Sequence, residues 1–281
     1  MKLSIEQNKA YRKEVIIMKL GFIGCGNMAK AMMGGIISSN IIAAKEIIAS
    51  DGYVAGLEKA KADMGINITT NNCEVAKASE VIVLSVKPQY YETVIKEIAS
   101  SINDNTIIVT IAPGQSLEKV KNLFGKAVKI VRTMPNTPAL VGEGMTAVCP
   151  NELITKEELE YVCSILRGFG KAEIVEEKLM DAVVGVSGSS PAYVFMFIEA
   201  LADAAVREGM PRNKAYSFAA QAVMGSAKMV LETGKHPGEL KDMVCSPGGT
   251  TIEAVMTLEE KGMRSAVMEA VRVCTDKSRN M

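Results

Sequence analysis

Tryptophan is absent from the 281-residue chain, histidine occurs once, and aromatic residues make up only 5% of it. The six cysteines are scattered with no CxxC pair, which argues against both a zinc site and a disulfide framework. Basic and acidic side chains balance at 32 each, so no strong field favours nucleic acid or a membrane surface. No apolar run looks long enough to span a bilayer, and no metal-ligand spacing occurs. These absences favour a protein of a reducing cytoplasm that binds small molecules.

The N-terminus carries no apolar core of the kind that signal peptides have. Residues 1–14 are polar and charged, and Lys13-Glu14-Val15 can be encoded by a purine-rich run that resembles a ribosome-binding site just before Met18. We therefore expect residues 1–17 to be an extension outside the fold. Residues 18–176 then predict a dinucleotide-binding domain, and residues 177–281 predict a helical dimerisation and substrate domain.

A glycine turn follows the first apolar run of the sequence. The run at residues 20–23 leads into Gly24–Ala29, then into a helical pattern and a second apolar run that ends at Asp51. Strand, glycine turn, helix, strand and terminal acid is the order of a dinucleotide-binding unit. Gly24 would permit the tight turn, and Gly26 would let the backbone approach a pyrophosphate at the helix start. A glycine turn in another kind of α/β protein is the alternative.

The pattern of elements changes near Glu177. Before that point, strands such as Val81–Val86 and Thr106–Ile111 are nearly all apolar, as expected for strands buried on both faces, and they alternate with helices. After it we find only helical patterns, at Ala182–Val186, Pro191–Glu208, Arg212–Thr233 and Ile252–Asp276. The sequence therefore predicts an α/β Rossmann-type parallel sheet followed by an all-α domain.

Ligands of open α/β sheets bind beyond the carboxyl ends of the strands. Asp51 could accept both ribose hydroxyls of NAD and repel a 2′-phosphate, or it could cap a turn. Lys87 could contact a ribose or an amide, or be a surface lysine. Small apolar residues after the later strand would suit a nicotinamide ring. The loops that this rule selects are Gly24–Met28, Asp51, Ser85–Pro88 and Ile111–Pro113.

A second loop rich in glycine and proline lies near the C-terminus, at Cys245–Glu253. Thr250 and Glu253 fit a capping box at the start of the next helix. The same geometry would expose backbone N–H groups and the Thr251 hydroxyl to a small carboxylate. Capping does not account for the preceding turn residues, so we expect an anion site here. The single histidine, His236, lies in a turn beside a proline, and we interpret it as structural.

The helix predicted over Pro191–Glu208 is apolar on most of its circumference. Ser190 would cap its start, with proline in the first turn. A segment of about 100 residues offers such a helix little to bury against within its own chain. We expect it to pack against a second copy of the chain, with burial against its own N-terminal domain as the alternative.

Together, these motifs resemble those of the pyrroline-5-carboxylate reductases, from about Met18 to the C-terminus. The resemblance implies a Rossmann domain and a helical dimerisation domain, in dimers that often assemble into decamers. It implies reduction of 1-pyrroline-5-carboxylate to L-proline with NADPH or NADH, the last step of proline biosynthesis, without a metal. The motifs that carry it are Gly21–Ala29, Ser85–Pro88, Arg132–Pro138, Asp181–Tyr193 and Ser246–Thr251.

The resemblance also implies roles for single residues. Thr251 would hydrogen-bond the substrate ring nitrogen and relay a proton, and Glu177 would lie near cofactor or substrate. Two departures stand out: Ser190 replaces a usual glycine, and Asp51 favours NADH over NADPH. The substrate would be held, from the other subunit's helices, by Ser246, Gly248, Gly249, Thr250 and Thr251. The cofactor would be lined by Ile23, Gly24, Cys25, Gly26, Asn27, Met28, Asp51, Asn72, Ser85, Val86, Lys87, Pro88, Ile111, Ala112 and Pro113.

Two other functions fit parts of the sequence. A 3-hydroxyacid dehydrogenase would need a lysine general base early in the helical domain. Lys178 is the only lysine between Ala172 and Arg212, and it lies in an acidic boundary segment. A nucleotide-sensing protein without catalysis would need no loop that binds a carboxylate.

Overall fold

The computed structural model describes residues 18–281. The predicted extension at residues 1–17, and the predicted start at Met18, cannot be compared with it because residues 1–17 lie outside the described part. The chain divides into two compact units. The first runs to Gly188 and also includes Lys277–Met281, and the second is Ser189–Asp276.

The first unit is built on one eight-stranded sheet. Its strands are β1 (Met18–Ile23), β2 (Ile47–Ser50), β3 (Asn67–Thr69), β4 (Ser79–Leu84), β5 (Ile107–Thr110), β6 (Lys129–Met134), β7 (Gly144–Pro150) and β8 (Gly170–Ile174). Their order in space is β3-β2-β1-β4-β5-β6-β7-β8. The chain runs from β1 through β2 to β3 at one edge and then crosses back to β4, so β2 and β4 lie on opposite sides of β1.

The predicted parallel sheet is confirmed, with one antiparallel pair of strands towards one edge. The first six strands pair in parallel, but β7 pairs antiparallel to β6, and β8 is parallel to β7. A parallel return needs a crossover of a dozen or more residues. The connection from β6 to β7 contains only the short 3₁₀ turn Thr137–Val141, so the chain doubles back.

Both faces of the central strands are buried, as predicted from their apolar runs. In β4, Val81 and Val83 pack into one core cluster, whereas Ile82 and Leu84 pack into another. The helices of this unit are α1 (Asn27–Ser38), α2 (Val54–Met64), α3 (Asn72–Ala78), α4 (Tyr91–Ile98), α5 (Leu117–Phe124), α6 (Lys156–Leu166) and α7 (Met180–Val183). Residues of α1, α2 and α6 join the first cluster, and residues of α3, α4 and α5 join the second.

Local signals fix several of these helix ends. Thr155 and Glu158 form a capping box at the start of α6. Gly65 ends α2 with a φ of 73° in the left-handed region, where glycine is the favoured residue. Strand β3 and helix α3 were not predicted, because each is short and neither shows a full period of apolar residues.

The second unit is helical, and no strand follows β8 in the described residues. Two helix starts or breaks differ from the prediction. The segment Ile252–Asp276 is not one helix, because Gly262, with φ 75°, separates two. Ser190 is the first helical residue and not the cap, since the chain enters from a π-helical turn, Val184–Gly188. The N-cap is Ser189, whose side chain makes no capping bond to the described helix. The helices are α8 (Ser190–Arg207), α9 (Arg212–Thr233), α10 (Pro237–Val244), α11 (Thr250–Glu260) and α12 (Met263–Arg279).

His236 is structural in this fold, as predicted. It is the N-cap of α10, a helix that the sequence analysis missed, and its Nδ1 accepts a hydrogen bond from the N–H of Gly238 at 3.1 Å. A ring nitrogen that accepts this bond satisfies a backbone donor at the helix start.

Helix α8 leaves large apolar side chains uncovered within the described chain. Phe195 is 62% exposed and Met196 is 68% exposed, and Val194, Phe197 and Leu201 are also uncovered. The helical stretch Glu177–Arg207 is long and apolar enough to cross a membrane by length and composition alone. The sequence-based statement that no run reaches this length is therefore wrong. A helix face that packs on another protein chain has the same composition.

Candidate functional site

The glycine turn after β1 can be made only by glycine at its first position. Gly24 has a φ of 100°, and a Cβ there would lie 2.7 Å from the carbonyl oxygen of Ser85. The Gly24 N–H donates to the Ser50 oxygen at 2.8 Å, which continues the ladder between the first two strands. The turn is thus held between two neighbouring strand ends.

The start of α1 leaves room and donors for an anion. Gly26 is its N-cap, in extended conformation, and no side chain caps the helix. A Cβ built on Gly26 would meet nothing within 4 Å. The first N–H groups of a helix have no partner within it, and the helix dipole favours negative charge there. This open, uncapped start fits a pyrophosphate.

Asp51 is bonded to the glycine turn itself. Its Oδ2 accepts from the N–H of Cys25 at 2.7 Å, and its Oδ1 accepts from the N–H of Tyr53 at 2.9 Å. The turn-capping alternative therefore describes the carboxylate as the structure has it, although its remaining lone pairs can still accept ribose hydroxyls. Burial raises the pKa of the Cys25 thiol, so that residue contributes its backbone and not a thiolate.

The loop Ser85–Pro88 is tied to the same turn. The Ser85 hydroxyl donates to the Gly24 oxygen at 2.6 Å, and the Ser85 N–H donates to the Ile23 oxygen at 2.9 Å. Val86 packs against the second core cluster, while the side chain of Lys87 is exposed to solvent. Lys87 is therefore free to reach a ligand, and the residues around it are fixed.

Asn72 is the first residue of α3, and it contacts the end of β2 next to the glycine turn. Its Oδ1 accepts from the Ser50 hydroxyl at 2.7 Å, and its Nδ2 donates to Glu97 at 2.8 Å. Ser50 is the last residue of β2 and directly precedes Asp51. Asn72 thus supports the strand end from which the acid projects.

A tyrosine that the sequence analysis missed connects the loop Ser85–Pro88 with the loop Ile111–Pro113. The Tyr91 hydroxyl donates to the Leu84 oxygen at 2.8 Å and accepts from the Ile111 N–H at 3.3 Å. The side chain is 1% exposed, and burial raises its pKa far above the usual tyrosine range. No local sequence signal reports this contact, because Tyr91 and Ile111 are 20 residues apart in the chain.

Glu177, predicted to lie near cofactor or substrate, is hydrogen-bonded to residues of its own compact unit. Its Oε1 accepts from Arg132 Nη1 at 2.9 Å and from the N–H of Leu117 at 2.8 Å. Arg132 is 5% exposed, and the carboxylate of the partly exposed Glu177 partners its buried charge. The sequence analysis did not single out this ion pair, which links β6, the start of α5 and the segment after β8.

The loop Ser246–Thr251 lies in the second compact unit. The predicted capping box is wrong, because Gly249 is the N-cap of α11 and Thr250 is already helical, with no side-chain cap. A turn bond from the Gly249 N–H to the Ser246 oxygen, at 3.0 Å, shapes the loop, and Gly248 has a φ of 66°. Within residues 18–281, no side chain caps the start of α11, which is compatible with the predicted anion site at its first N–H groups and the Thr251 hydroxyl.

The structure brings together the predicted cofactor residues of the first unit. The glycine turn, Asp51 and the loops after β4 and β5 lie at the carboxyl edge of adjacent strands, joined by the bonds described above. In the described residues, no cluster of three or more His, Cys, Asp or Glu side chains could hold a metal ion. The fold and this edge define a Rossmann-type oxidoreductase that uses a dinucleotide.

The chain belongs to the pyrroline-5-carboxylate reductase family. Residues 177–281 match the model described as pyrroline-5-carboxylate reductase dimerisation, and residues 19–114 match the model described as NADP oxidoreductase, coenzyme F420-dependent. The pyrroline-5-carboxylate reductase of Escherichia coli K12 is 56% identical over 94% of this chain and 98% of its own length. That of Arabidopsis thaliana is 40% identical over 94% and 95%.

A solved structure agrees with these sequence comparisons. The pyrroline carboxylate reductase of Plasmodium falciparum, with NADP bound, superposes with a TM-score of 0.86 at 33% identity. The alignment covers 94% of this chain and 97% of that chain. The predicted family and the predicted order of a Rossmann domain and a helical dimerisation domain are therefore confirmed.

Proposed function

We propose that this chain reduces 1-pyrroline-5-carboxylate to L-proline with NADPH or NADH. The observation that carries the proposal is the pair of uncapped helix starts, at Gly26 and at Gly249, in a chain of this family. One suits a pyrophosphate and the other suits a small carboxylate. NADPH is supported by the match to an NADP oxidoreductase model and by the NADP-bound relative.

The proposed chemistry needs little from the side chains. The reduced nicotinamide supplies a hydride to the imine carbon, and the protonated imine is already electrophilic. The protein orients the two rings and excludes competing geometries. The start of α11 holds the substrate carboxylate, and the hydroxyl of Thr251 hydrogen-bonds the ring nitrogen and relays its proton. Ser246, Gly248, Gly249 and Thr250 form the rest of this substrate loop.

The cofactor residues keep their proposed roles with one refinement. Ile23–Met28 and Ser85–Pro88 line the pyrophosphate and the ribose, and Ile111–Pro113 faces the nicotinamide. Asp51 holds the glycine turn and can accept a ribose hydroxyl at the same time. Its negative charge opposes a 2′-phosphate, which supports use of NADH alongside NADPH. Asn72 and Glu177 act through their neighbours, because their polar atoms are bonded to Ser50, Glu97, Arg132 and Leu117.

The assembly is at least a dimer in this proposal. Helix α8 packs its apolar face on a second copy, and the partner supplies the substrate loop to the cofactor unit. We also propose that the dimers assemble further into a decamer. The proposed location is the cytoplasm, without a membrane partner. The functional boundary is at residue 177, where the dimerisation model begins, although the compact units divide after Gly188.

One assay separates this function from its rivals. Purified protein is mixed with NADPH or NADH and 1-pyrroline-5-carboxylate, and loss of absorbance of the reduced cofactor is followed. We expect turnover with this imine. In a second assay, which follows oxidation of 3-hydroxyisobutyrate by NAD, we expect no turnover. Turnover with the hydroxyacid alone would support a dehydrogenase. Cofactor binding without turnover of either substrate would support a sensing protein and overturn the proposal.

A further inference from the structure

At the carboxyl edge of the sheet, the hydrogen bonds beyond the strand ends differ from one strand pair to the next. Past the end of β1, the ladder continues by direct backbone bonds. Gly24 N–H donates to the Ser50 oxygen at 2.8 Å, and Ser85 N–H donates to the Ile23 oxygen at 2.9 Å. The corresponding place between β4 and β5 is occupied by a side chain. There the Ile111 N–H reaches the Leu84 oxygen through the hydroxyl of Tyr91.

This bridge has a clear geometric consequence. Leu84 is paired with Thr110 in the parallel register, so the Ile111 N–H is the next donor along the ladder. A direct rung would hold the two strand ends at the usual spacing of about 4.8 Å. With a hydroxyl inserted, the strand ends separate at the place where the loops Ser85–Pro88 and Ile111–Pro113 begin.

The bridging side chain is fixed in place. Tyr91 is the first residue of α4, and its ring packs into the core cluster that contains Leu84, Ile95 and Ile108. Its hydroxyl uses one donor and one acceptor on two backbone groups. A buried hydroxyl with both roles satisfied is a rigid spacer, since any movement would leave a buried polar group unpaired.

We propose that Tyr91 is a positioning residue for the nicotinamide half of the cofactor. It sets the distance between the loop Ile111–Pro113, which receives this half, and the loop Ser85–Pro88, and it touches neither cofactor nor substrate. This inference rests on the proposed function, which places Ile111–Pro113 at the nicotinamide. The glycine turn, which receives the pyrophosphate and the adenosine half, is also held by the Asp51 carboxylate and by the backbone bond from Gly24 to Ser50, and neither contact involves the bridge.

The test is Tyr91→Phe, which removes only the bridging hydroxyl. We expect the dissociation constant of NADPH, measured by fluorescence titration, to rise about fivefold. The affinity for 2′,5′-ADP, which lacks the nicotinamide half, should stay unchanged. The matched control is Tyr161→Phe. Tyr161 is a half-buried tyrosine on α6 that packs against the other core cluster, and its substitution should leave both affinities unchanged.

The outcomes distinguish positioning from simple stability. Equal weakening of NADPH and 2′,5′-ADP would mean general destabilisation and would overturn the proposal, as would no change in either. Wild-type turnover of 1-pyrroline-5-carboxylate tests the proposed function separately, because the binding comparison needs no substrate.

A measurement on the unmodified protein covers the case in which Tyr91→Phe does not fold. Hydrogen exchange should show the Ile111 amide protected to within about tenfold of the Ile108 and Val109 amides. An Ile111 amide that exchanges as fast as an exposed loop would overturn the bridge and the proposal with it.

Discussion

Helices α1 and α11 begin in the same way within different surroundings. Each has a glycine as N-cap, Gly26 or Gly249, and neither has a side-chain cap. The residues beside Gly26 are held by Asp51 and Ser85 from adjacent strand ends. The loop at Gly249 is held by its own turn bond to Ser246. One chain therefore pre-organises the proposed cofactor half, whereas in our proposal the substrate half gains its surroundings from a second copy.

The largest effect is expected where the surroundings are tightest. Gly24→Ala puts a Cβ 2.7 Å from a backbone oxygen at a φ of 100°. We expect the free energy of unfolding to fall by about 3 kcal/mol and dinucleotide binding to be lost. Chemical denaturation and NADPH titration measure these effects. Gly34→Ala is the control, because a Cβ there meets nothing within 4 Å in the helix α1. Equal effects of the two changes would show that the turn is not constrained.

The second prediction tests the dependence on another copy. Phe195→Glu places a charge on the uncovered face of α8, where the side chain is 62% exposed in the described chain. We expect the dimer dissociation constant to rise more than about 100-fold, since an interface core tolerates an unpaired charge poorly. Over a dilution series, the sedimentation coefficient and the turnover rate should fall at the same protein concentration. Lys59→Glu, on the exposed side of α2, is the control. A fully active monomer would contradict the comparison.

The third prediction concerns the proposed substrate loop alone. Thr251→Ala removes a hydroxyl that caps nothing in the structure. We expect turnover to fall about 100-fold with the NADPH dissociation constant unchanged, and Thr251→Ser to restore most of it. Steady-state kinetics and titration separate the two effects. Thr257→Ala, which loses a hydroxyl bonded within the same helix to Glu253, is the control. Unchanged kcat/KM for the Thr251 variant would remove it from the mechanism.

The smallest expected effect concerns the choice between NADPH and NADH. Asp51→Asn removes the negative charge and keeps one acceptor oxygen for the turn. We expect affinity for NADPH relative to NADH to rise about fivefold, because charge repulsion of the 2′-phosphate is relieved. The ratio of the two dissociation constants is the measurement, and Asp63→Asn on α2 is the control. A ratio that does not move would show that the carboxylate acts only on the turn.

The sequence predicted the parts of this comparison that depend on local patterns. The glycine turn and the buried strands each follow from residues within a few positions of one another. The reversal at β7 was missed because strand direction depends on the length of a connection and not on periodicity. The roles of Tyr91 and Arg132 were missed because their partners are distant in sequence. Helix caps were misplaced by one residue at Ser190 and Thr250, where either of two neighbouring residues fits the pattern.

The last residues of the chain, Lys277–Met281, pack with the first unit, and this return limits when the contacts of that unit can form. The Ser278 hydroxyl donates to Asp181 Oδ1 at 2.7 Å, and the main chain of Met281 lies against Gly114. A nascent polypeptide emerges from its N-terminal end, so the whole helical unit is made before these contacts can form. These contacts within the nucleotide-binding unit can therefore form only after the helical unit has been synthesised.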